Sequence, residues 1–113
     1  MLNYIKKKIP KFPTKSDIDN LTKLSAQILV RDNKKSTFTT IRDAEFKVFS
    51  QWGEDGIIQY LINKIKIKNK IFIEFGVQNY TEANTRFLLE NDHWSGLVLD
   101  GSSSNVASIR NSD

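Results

Sequence analysis

The sequence of 113 residues contains no cysteine and a single histidine, His93. The lack of cysteine excludes disulfides, thiolate catalysis and cysteine-bound metals, and it is compatible with a reducing cytoplasm, where we expect the protein to reside. His93 has no second ligand at metal-binding spacing and no serine or cysteine to activate. We therefore expect His93 in a surface turn, and the sequence predicts no metal site.

Long apolar runs are also absent. No stretch approaches the roughly eighteen apolar residues that a membrane span needs, so we expect neither a membrane span nor a secretion signal. The net charge of +4 comes largely from lysine clusters, which could attract nucleic acid or an anionic membrane surface. Because no aromatic residues alternate with the lysines as a stacking platform would require, we interpret the clusters as solvated and predict no nucleic-acid partner. They are Lys6, Lys7, Lys8, Lys11 and Lys15, and then Lys64, Lys66, Lys68 and Lys70.

The length fits one domain with one hydrophobic core. Residues 1–44 are predicted to form a basic leader and an N-terminal helix, because Pro10 and Pro13 interrupt any helix near the start. Ser16 and Asp19 have the spacing of a helix cap, and the helix should end by Asp32–Asn33. The apolar residues near helical spacing are Ile18, Leu21, Leu24, Ile28 and Leu29.

Residues 37–49 suggest extended structure, although Asp43 and Ala44 break the alternation of apolar and polar residues. The segment 53–65 predicts a helix with apolar and polar residues on opposite sides. Its apolar stripe is Ile57, Ile58, Leu61, Ile62 and Ile65, and its polar side is Gln59, Tyr60, Asn63 and Lys64.

Two short apolar runs, 71–77 and 96–100, have the composition of buried parallel strands. Between them, residues 81–91 have helical composition, with Ala83, Phe87 and Leu88 to one side. Strand, helix and strand at this length make a βαβ unit. The chain is therefore predicted to be an α/β protein with a parallel sheet.

The ends of these two strands are the place to look for a ligand, because open parallel sheets bind ligands at the carboxyl ends of their strands. Gly76 allows a sharp turn and a close approach of a ligand to the backbone. Asp100 follows Gly76 by about 24 residues, close to the interval at which an acid binds a ribose diol. Together the two residues predict a nucleoside pocket, with an ordinary tight turn and a surface aspartate as the simpler alternative.

The class of nucleoside is indicated by two glycines that a dinucleotide site has and this sequence lacks. A dinucleotide site needs a second and a third glycine to admit a pyrophosphate and to pack helix on strand. Gln78 and Thr81 stand in those places. One glycine and a ribose acid favour S-adenosylmethionine (SAM) over NAD, since an uncharged nucleoside link needs no phosphate cradle.

Four ordered blocks resemble the opening half of FkbM-type methyltransferases. They are Ser50-Gln51-Trp52-Gly53-Glu54-Asp55-Gly56, Phe72-Ile73-Glu74-Phe75-Gly76, Glu82-Ala83-Asn84-Thr85, and Trp94-Ser95-Gly96-Leu97-Val98-Leu99-Asp100-Gly101. The resemblance covers roughly residues 45–107, and it implies that 45–113 is the N-terminal part of a Rossmann-like class I, SAM-dependent methyltransferase domain. It also implies methyl transfer to oxygen, on sugars or secondary metabolites in many relatives.

The resemblance implies roles for single residues as well. Glu74 and Gly76 would lie by the methionine part of SAM, and Asp100 would hold the ribose. We favour Ser50 as a cap of the following helix; the alternative is that Gln51 and Glu54 reach the cofactor. Asn84 is a candidate for the methionine carboxylate, from the first turn of the next helix.

The family pattern continues through further strands that supply adenine contacts, the catalytic base and the acceptor pocket, and we expect this chain to stop before them, near a helix at 105–110. The fold should then be truncated to two parallel strands and the preceding helices, with no turnover by the chain alone. A small-molecule or glycan acceptor is expected only for a full-length form. Two alternative functions stay open. The first is a non-catalytic fragment that binds a nucleotide or a protein, or self-associates, through an exposed sheet edge. The second is a nicotinamide-dependent sugar oxidoreductase, which Gln78 disfavours.

Overall fold

A computed structural model describes residues 11–112 of the chain. Most of the predicted basic leader, residues 1–10, lies outside the described residues. The described part is an α/β arrangement of four helices and a two-stranded parallel sheet, with a short 3₁₀ turn between the first two helices. In chain order the elements are α1 (Lys15–Lys35), the 3₁₀ turn (Ile41–Ala44), α2 (Glu54–Lys64), β1 (Ile71–Phe75), α3 (Arg86–Glu90), β2 (Ser95–Leu99) and α4 (Ser103–Arg110).

Helix α1 begins earlier than the sequence predicted. Thr14, not Ser16, is the cap: its hydroxyl accepts the Asp17 N–H at 3.2 Å, and the Asp17 carboxylate accepts the Thr14 N–H at 2.8 Å. This reciprocal pair satisfies two N–H groups that a helix start leaves without partners, which fixes the first turn. The helix also runs past Asn33 to Lys35.

The buried side of α1 is not the apolar stripe that helical spacing indicated. Ala26 and Val30 are buried against Phe87, whereas Ile18, Leu21, Leu24, Ile28 and Leu29 are all exposed. Polar contacts on the Ala26 side account for this rotation. Lys23 pairs with Glu90, the Gln27 amide donates to Asn91 at 2.9 Å, and the Asn33 amide donates to the Ala44 carbonyl at 3.1 Å.

The segment 37–49 is not extended as predicted, because its centre forms the 3₁₀ turn. The Asp43 carboxylate accepts the Thr40 N–H at 3.0 Å, which closes this turn. The same Asp43 and Ala44 interrupt the alternation in the sequence. The hydrogen bond that Asp43 makes to a nearby backbone N–H thus outweighs the preference of the neighbouring β-branched residues for a strand.

The helix predicted at 53–65 is confirmed as α2, but its apolar stripe is only partly correct. Ile58 and Ile62 pack against the core, whereas Leu61 and Ile65 are exposed. Gln59, which was assigned to the polar side, is buried, and its side-chain amide donates to the Asp92 carboxylate. A polar side chain is buried here because it reaches a partner on another element.

The predicted strand pair is confirmed: β1 and β2 are parallel, with Ile71 opposite Ser95 and Phe75 opposite Leu99. Phe72, Leu88 and Trp94 form a core cluster on the face that α2 and α3 cover. Ala83, Phe87 and Leu88 are buried as predicted. The helix between the strands is shorter than the 81–91 segment, however, and spans only Arg86–Glu90. The last helix begins at Ser103, two residues before the predicted start.

The other face of the sheet is exposed, which contradicts the expectation of buried strands. Side chains alternate along a strand, so every second residue points away from the helices. Phe75 keeps 74% of its surface exposed, and β1 and β2 together present an apolar face to solvent. We call this the outer face; its residues are Ile71, Ile73, Phe75, Leu97 and Leu99.

Surface features agree with the sequence where they are described. His93 is exposed in a turn with a φ of 57°. The described lysines of both clusters, Lys11, Lys15, Lys64, Lys66, Lys68 and Lys70, are all exposed. Within residues 11–112, no helix is both long and apolar enough to cross a membrane.

At Gly56 the backbone of α2 lies close against the backbone of residues 44–46. The Gly56 N–H donates to the Phe46 carbonyl at 3.1 Å, and an added Cβ would lie 2.1 Å from the Ala44 carbonyl oxygen and 2.4 Å from the Phe46 nitrogen. Backbone atoms cannot move aside as a side chain can. Only glycine therefore fits at this crossing.

We expect Gly56→Ala to lower the free energy of unfolding by about 1 to 3 kcal/mol, the usual cost of overpacking. Urea denaturation followed by circular dichroism measures this loss. Gly101→Ala is the matched control, because nothing lies within 4 Å of the Cβ it would add. Equal stabilities of the two variants would show that the crossing relaxes easily.

Candidate functional site

The chain turns sharply where β1 ends. Gly76 has a φ of 70°, in the left-handed region, and nothing lies within 4 Å of a Cβ added there. Its N–H donates to the Leu99 carbonyl at 2.8 Å, so the pairing with β2 continues one residue beyond the strand. Gln78 and Tyr80 also have positive φ, 52° and 63°. The glycine is thus needed for its backbone conformation, and it leaves open space beside the chain.

The Glu74 carboxylate holds the segment that precedes α3. One oxygen accepts the Asn84 N–H at 3.0 Å, and the other accepts the Thr85 N–H at 3.0 Å and the Thr85 hydroxyl at 2.5 Å. Asn84 therefore lies before α3, not in its first turn as predicted, and its N–H is already engaged. Glu74 thereby ties the end of β1 to the start of the helix.

Four of the five predicted site residues line one cavity of about 260 Å³: Gln51, Glu74, Gly76 and Asn84. Gln78 and Glu82 line it too, and sequence reasoning had not assigned them to the site. Gln78 had been considered only as a missing glycine. Glu82 lies in one of the four sequence blocks, and its place there was the sign in the sequence that it could belong to the site. The Lys47 ammonium is 3.6 Å from the Glu82 carboxylate at the exposed rim.

Asp100, the fifth residue, borders this cavity without lining it. One carboxylate oxygen accepts the Gln78 N–H at 2.7 Å, and the other accepts the Ser102 N–H and the Asn105 amide, both at 2.9 Å. The Asn105 amide, and then the Ser102 and Gln78 N–H groups, hold the pKa of Asp100 below its ordinary value. Asp100 thus links the loops that follow the two strands and stays ionised at neutral pH.

The block from Ser50 to Gly56 is divided between two roles. The Ser50 hydroxyl accepts the Asp55 N–H at 3.1 Å, so it caps α2 as we favoured, although Gly53 occupies the cap position itself. The Glu54 carboxylate turns back to the Trp52 N–H at 2.8 Å; its own backbone N–H and that of Trp52 lower the pKa of Glu54. Gln51 reaches the cavity, and Glu54 does not.

A larger cavity, of about 440 Å³, lies away from the strand ends, between α3 and α4. Its charged side chains pair with each other, Arg86 with Glu90 at 2.6 Å, and the Tyr80 hydroxyl is 3.0 Å from that of Thr85, which lies outside the lining. Burial raises the pKa of Tyr80, which keeps the phenol protonated at neutral pH. This cavity has the larger volume, but the smaller one has the convergent polar groups expected of a ligand site.

Residues 11–112 contain no group of three metal-ligating side chains. Comparison with protein-family models, with curated proteins and with solved structures finds no match to this chain.

We expect Gly76→Val to lower the free energy of unfolding by about 1 to 3 kcal/mol, the typical cost of a strained backbone conformation. The cause is the positive φ and not a clash, because the space beside Gly76 is open. Gly101→Val, measured in parallel by thermal unfolding, should cost much less. If both changes cost the same, the turn after β1 does not require glycine.

Acid stability provides a test of the Asp100 contacts. Because its folded pKa is lowered, Asp100 stabilises the folded chain above its unfolded pKa of about 3.9, and this contribution is lost as pH falls through the folded value. We therefore expect Asp100→Asn to lose less stability than the wild type between about pH 6 and pH 3. Asp19→Asn on α1 is the control, since none of the described hydrogen bonds involves the Asp19 carboxylate. Parallel acid denaturation curves for wild type and Asp100→Asn would contradict the assignment.

Proposed function

We propose that this chain carries the donor-binding part of a SAM-dependent methyltransferase of the FkbM type, with a Rossmann-like class I fold. The cavity beside Gly76 would take the methionine end of SAM, and Asp100 would bind the ribose hydroxyls. The methyl acceptor would be a hydroxyl of a sugar or of a secondary metabolite. The family and the acceptor rest on the four sequence blocks alone.

The observation that carries the proposal is the charge of the cavity. Two carboxylates, Glu74 and Glu82, line it, and no lysine or arginine of the described residues does. The Lys47 ammonium lies at the rim, 3.6 Å from the Glu82 carboxylate and bonded to the Gln51 carbonyl at 3.1 Å, so it offsets one of the two charges and Glu74 supplies the other. SAM brings a sulfonium and an ammonium group, both positive, which such a lining attracts. A dinucleotide brings a pyrophosphate, which the same carboxylates repel. Charge thus favours SAM over a nicotinamide cofactor, in agreement with the missing glycines.

Polar side chains around the two carboxylates suit the remaining groups of the ligand. Gln51 and Asn84 line the cavity, and their side-chain amides are groups that could donate to the methionine carboxylate. The cavity of about 260 Å³ is below the range of about 300 to 1,000 Å³ typical of whole ligands, so it would hold one end of SAM. The nucleoside would then extend over Gly76 towards Asp100, where no Cβ obstructs it.

The contribution of these residues to methyl transfer would be positional. Methyl transfer requires the donor sulfur, the methyl carbon and the acceptor oxygen in line. Contacts at the methionine end and at the ribose would fix the sulfonium between them. No described residue is proposed as the catalytic base.

A second candidate function, a protein-binding or self-associating module, is favoured by the exposed outer face. Parallel sheets occur almost only with both faces covered. Here one face is exposed, and the free edge of β1 has no neighbouring strand among the described residues. Sedimentation velocity at several concentrations distinguishes a monomer from an associating chain.

The main test is calorimetric titration with SAM, S-adenosylhomocysteine and NAD. We expect binding of the first two and not of NAD, and at least about tenfold weaker S-adenosylhomocysteine binding in Asp100→Ala, because hydrogen bonds to a charged group are worth about 1.5 to 3 kcal/mol each. Asn105→Ala is the control for loop movement: it removes a contact of Asp100 and leaves its carboxylate, so its loss should be smaller. NAD binding would refute the preference for SAM, and equal losses in both variants would refute the ribose assignment.

A further inference from the structure

Asp55 has the most completely buried carboxylate of the site region, with 1% of the residue exposed. One carboxylate oxygen accepts three consecutive backbone N–H groups, those of Val48 and Phe49 at 2.7 Å and of Ser50 at 2.8 Å. The Ser50 hydroxyl adds a fourth bond at 2.9 Å. Successive N–H groups that converge in this way form an anion-binding concavity.

The other carboxylate oxygen of Asp55 has no hydrogen-bond partner among the described residues. A buried polar atom without a partner is costly, so the bonds to the first oxygen must outweigh that cost. The carboxylate is therefore held in place by the 48–50 segment and by nothing else that the structure describes. Asp55 and this segment form one rigid unit at the start of α2.

This unit reaches both walls of the cavity. Gln51, on one wall, directly follows Ser50 in the chain. On the other side, the Phe49 carbonyl accepts the Ala83 N–H at 3.1 Å. The next residue, Asn84, donates its N–H to Glu74. Asp55 is thus connected to Glu74 by hydrogen bonds through Phe49 and Ala83, with the peptide bond between Ala83 and Asn84 as the last link.

We propose that Asp55 is a positioning residue: its charge fixes the 48–50 segment, and that segment holds Gln51 and the Ala83–Asn84 wall at the spacing that the ligand requires. The proposal depends on the proposed function for the identity of the ligand. It assigns a role to the aspartate of the Ser50–Gly56 block, which neither the cap of α2 nor the cavity lining explains.

Asp55→Asn tests the charge with little change in shape. An asparagine oxygen can replace the bonded carboxylate oxygen, but its amide nitrogen must then lie where the structure provides no acceptor. Asp92→Asn is the matched control, because Asp92 also accepts a bond from a buried α2 side chain, Gln59, yet does not line the cavity. Comparing the variants at temperatures that give equal free energies of unfolding removes the effect of global stability.

The first measurement is amide hydrogen exchange of the unliganded proteins by NMR, which reports how stably the Ala83–Asn84 wall is hydrogen-bonded. We expect Ala83 and Asn84 to exchange about tenfold faster in Asp55→Asn, in keeping with the loss of a charged hydrogen-bond acceptor, and to be unchanged in Asp92→Asn. The second measurement is S-adenosylhomocysteine affinity by calorimetry, which should fall about tenfold in Asp55→Asn alone.

The outcomes separate the two proposals. Equal exchange at Ala83 and Asn84 in both variants would overturn the positioning role, as would faster exchange with unchanged affinity. If the wild type binds no S-adenosylhomocysteine, the proposed function fails, and the exchange pattern alone decides the role of Asp55. If Asp55→Asn does not fold, Ser50→Ala takes its place, because it removes one donor to the same carboxylate and should give a smaller effect in the same direction.

Discussion

Several backbone N–H groups of the loops around the strand ends have no helix or sheet partner, and three carboxylates accept them. Asp55 bonds the segment before α2, Glu74 bonds the segment before α3, and Asp100 bonds the loops after β1 and β2. Loops that leave buried N–H groups without partners would be unstable. The shape of the cavity follows from this requirement, since each of its walls is held by one of these side chains.

In the proposed function, two of these carboxylates, Glu74 and Asp100, would also influence which ligand binds. A carboxylate oxygen that accepts one or two N–H groups keeps its negative charge and some capacity for further bonds. Glu74 and Asp100 can therefore hold the loops and still face a ligand. Their charge favours a cationic or hydroxyl-bearing partner over a phosphate. Structural support and ligand preference thus depend on the same atoms.

Local patterns predicted the parts of the fold that local forces determine. The apolar runs at 71–77 and 96–100 predicted the two strands, and the segment 53–65 predicted α2. The face of α1 was not predictable in this way, because Lys23 and Gln27 help to determine it through Glu90 and Asn91, which lie 67 and 64 residues further along the chain. The start of α3 was misplaced for a similar reason: Glu74, a residue of β1, captures the N–H groups of Asn84 and Thr85.

The candidate site was predictable to the extent that its residues lie at the end of β1 or in the four sequence blocks. Gln51, Glu74, Gly76 and Asn84 do line one cavity, while their role as cofactor contacts stays a prediction. The carboxylate of Asp55 was missed, because an aspartate beside a helix start usually serves only that helix. Its three backbone partners precede it by five to seven residues, and nothing in their side chains marks them as donors.

The exposed outer face has a thermodynamic consequence. Unfolding raises the heat capacity mainly by bringing apolar surface into contact with water. The side chains of Ile73, Phe75 and Leu97 already meet water in the folded chain, so unfolding hydrates less new apolar area than in a domain of this length with both sheet faces covered. A smaller heat-capacity increment flattens the curve of stability against temperature, and cooling would then weaken this fold less than it weakens a fully enclosed one.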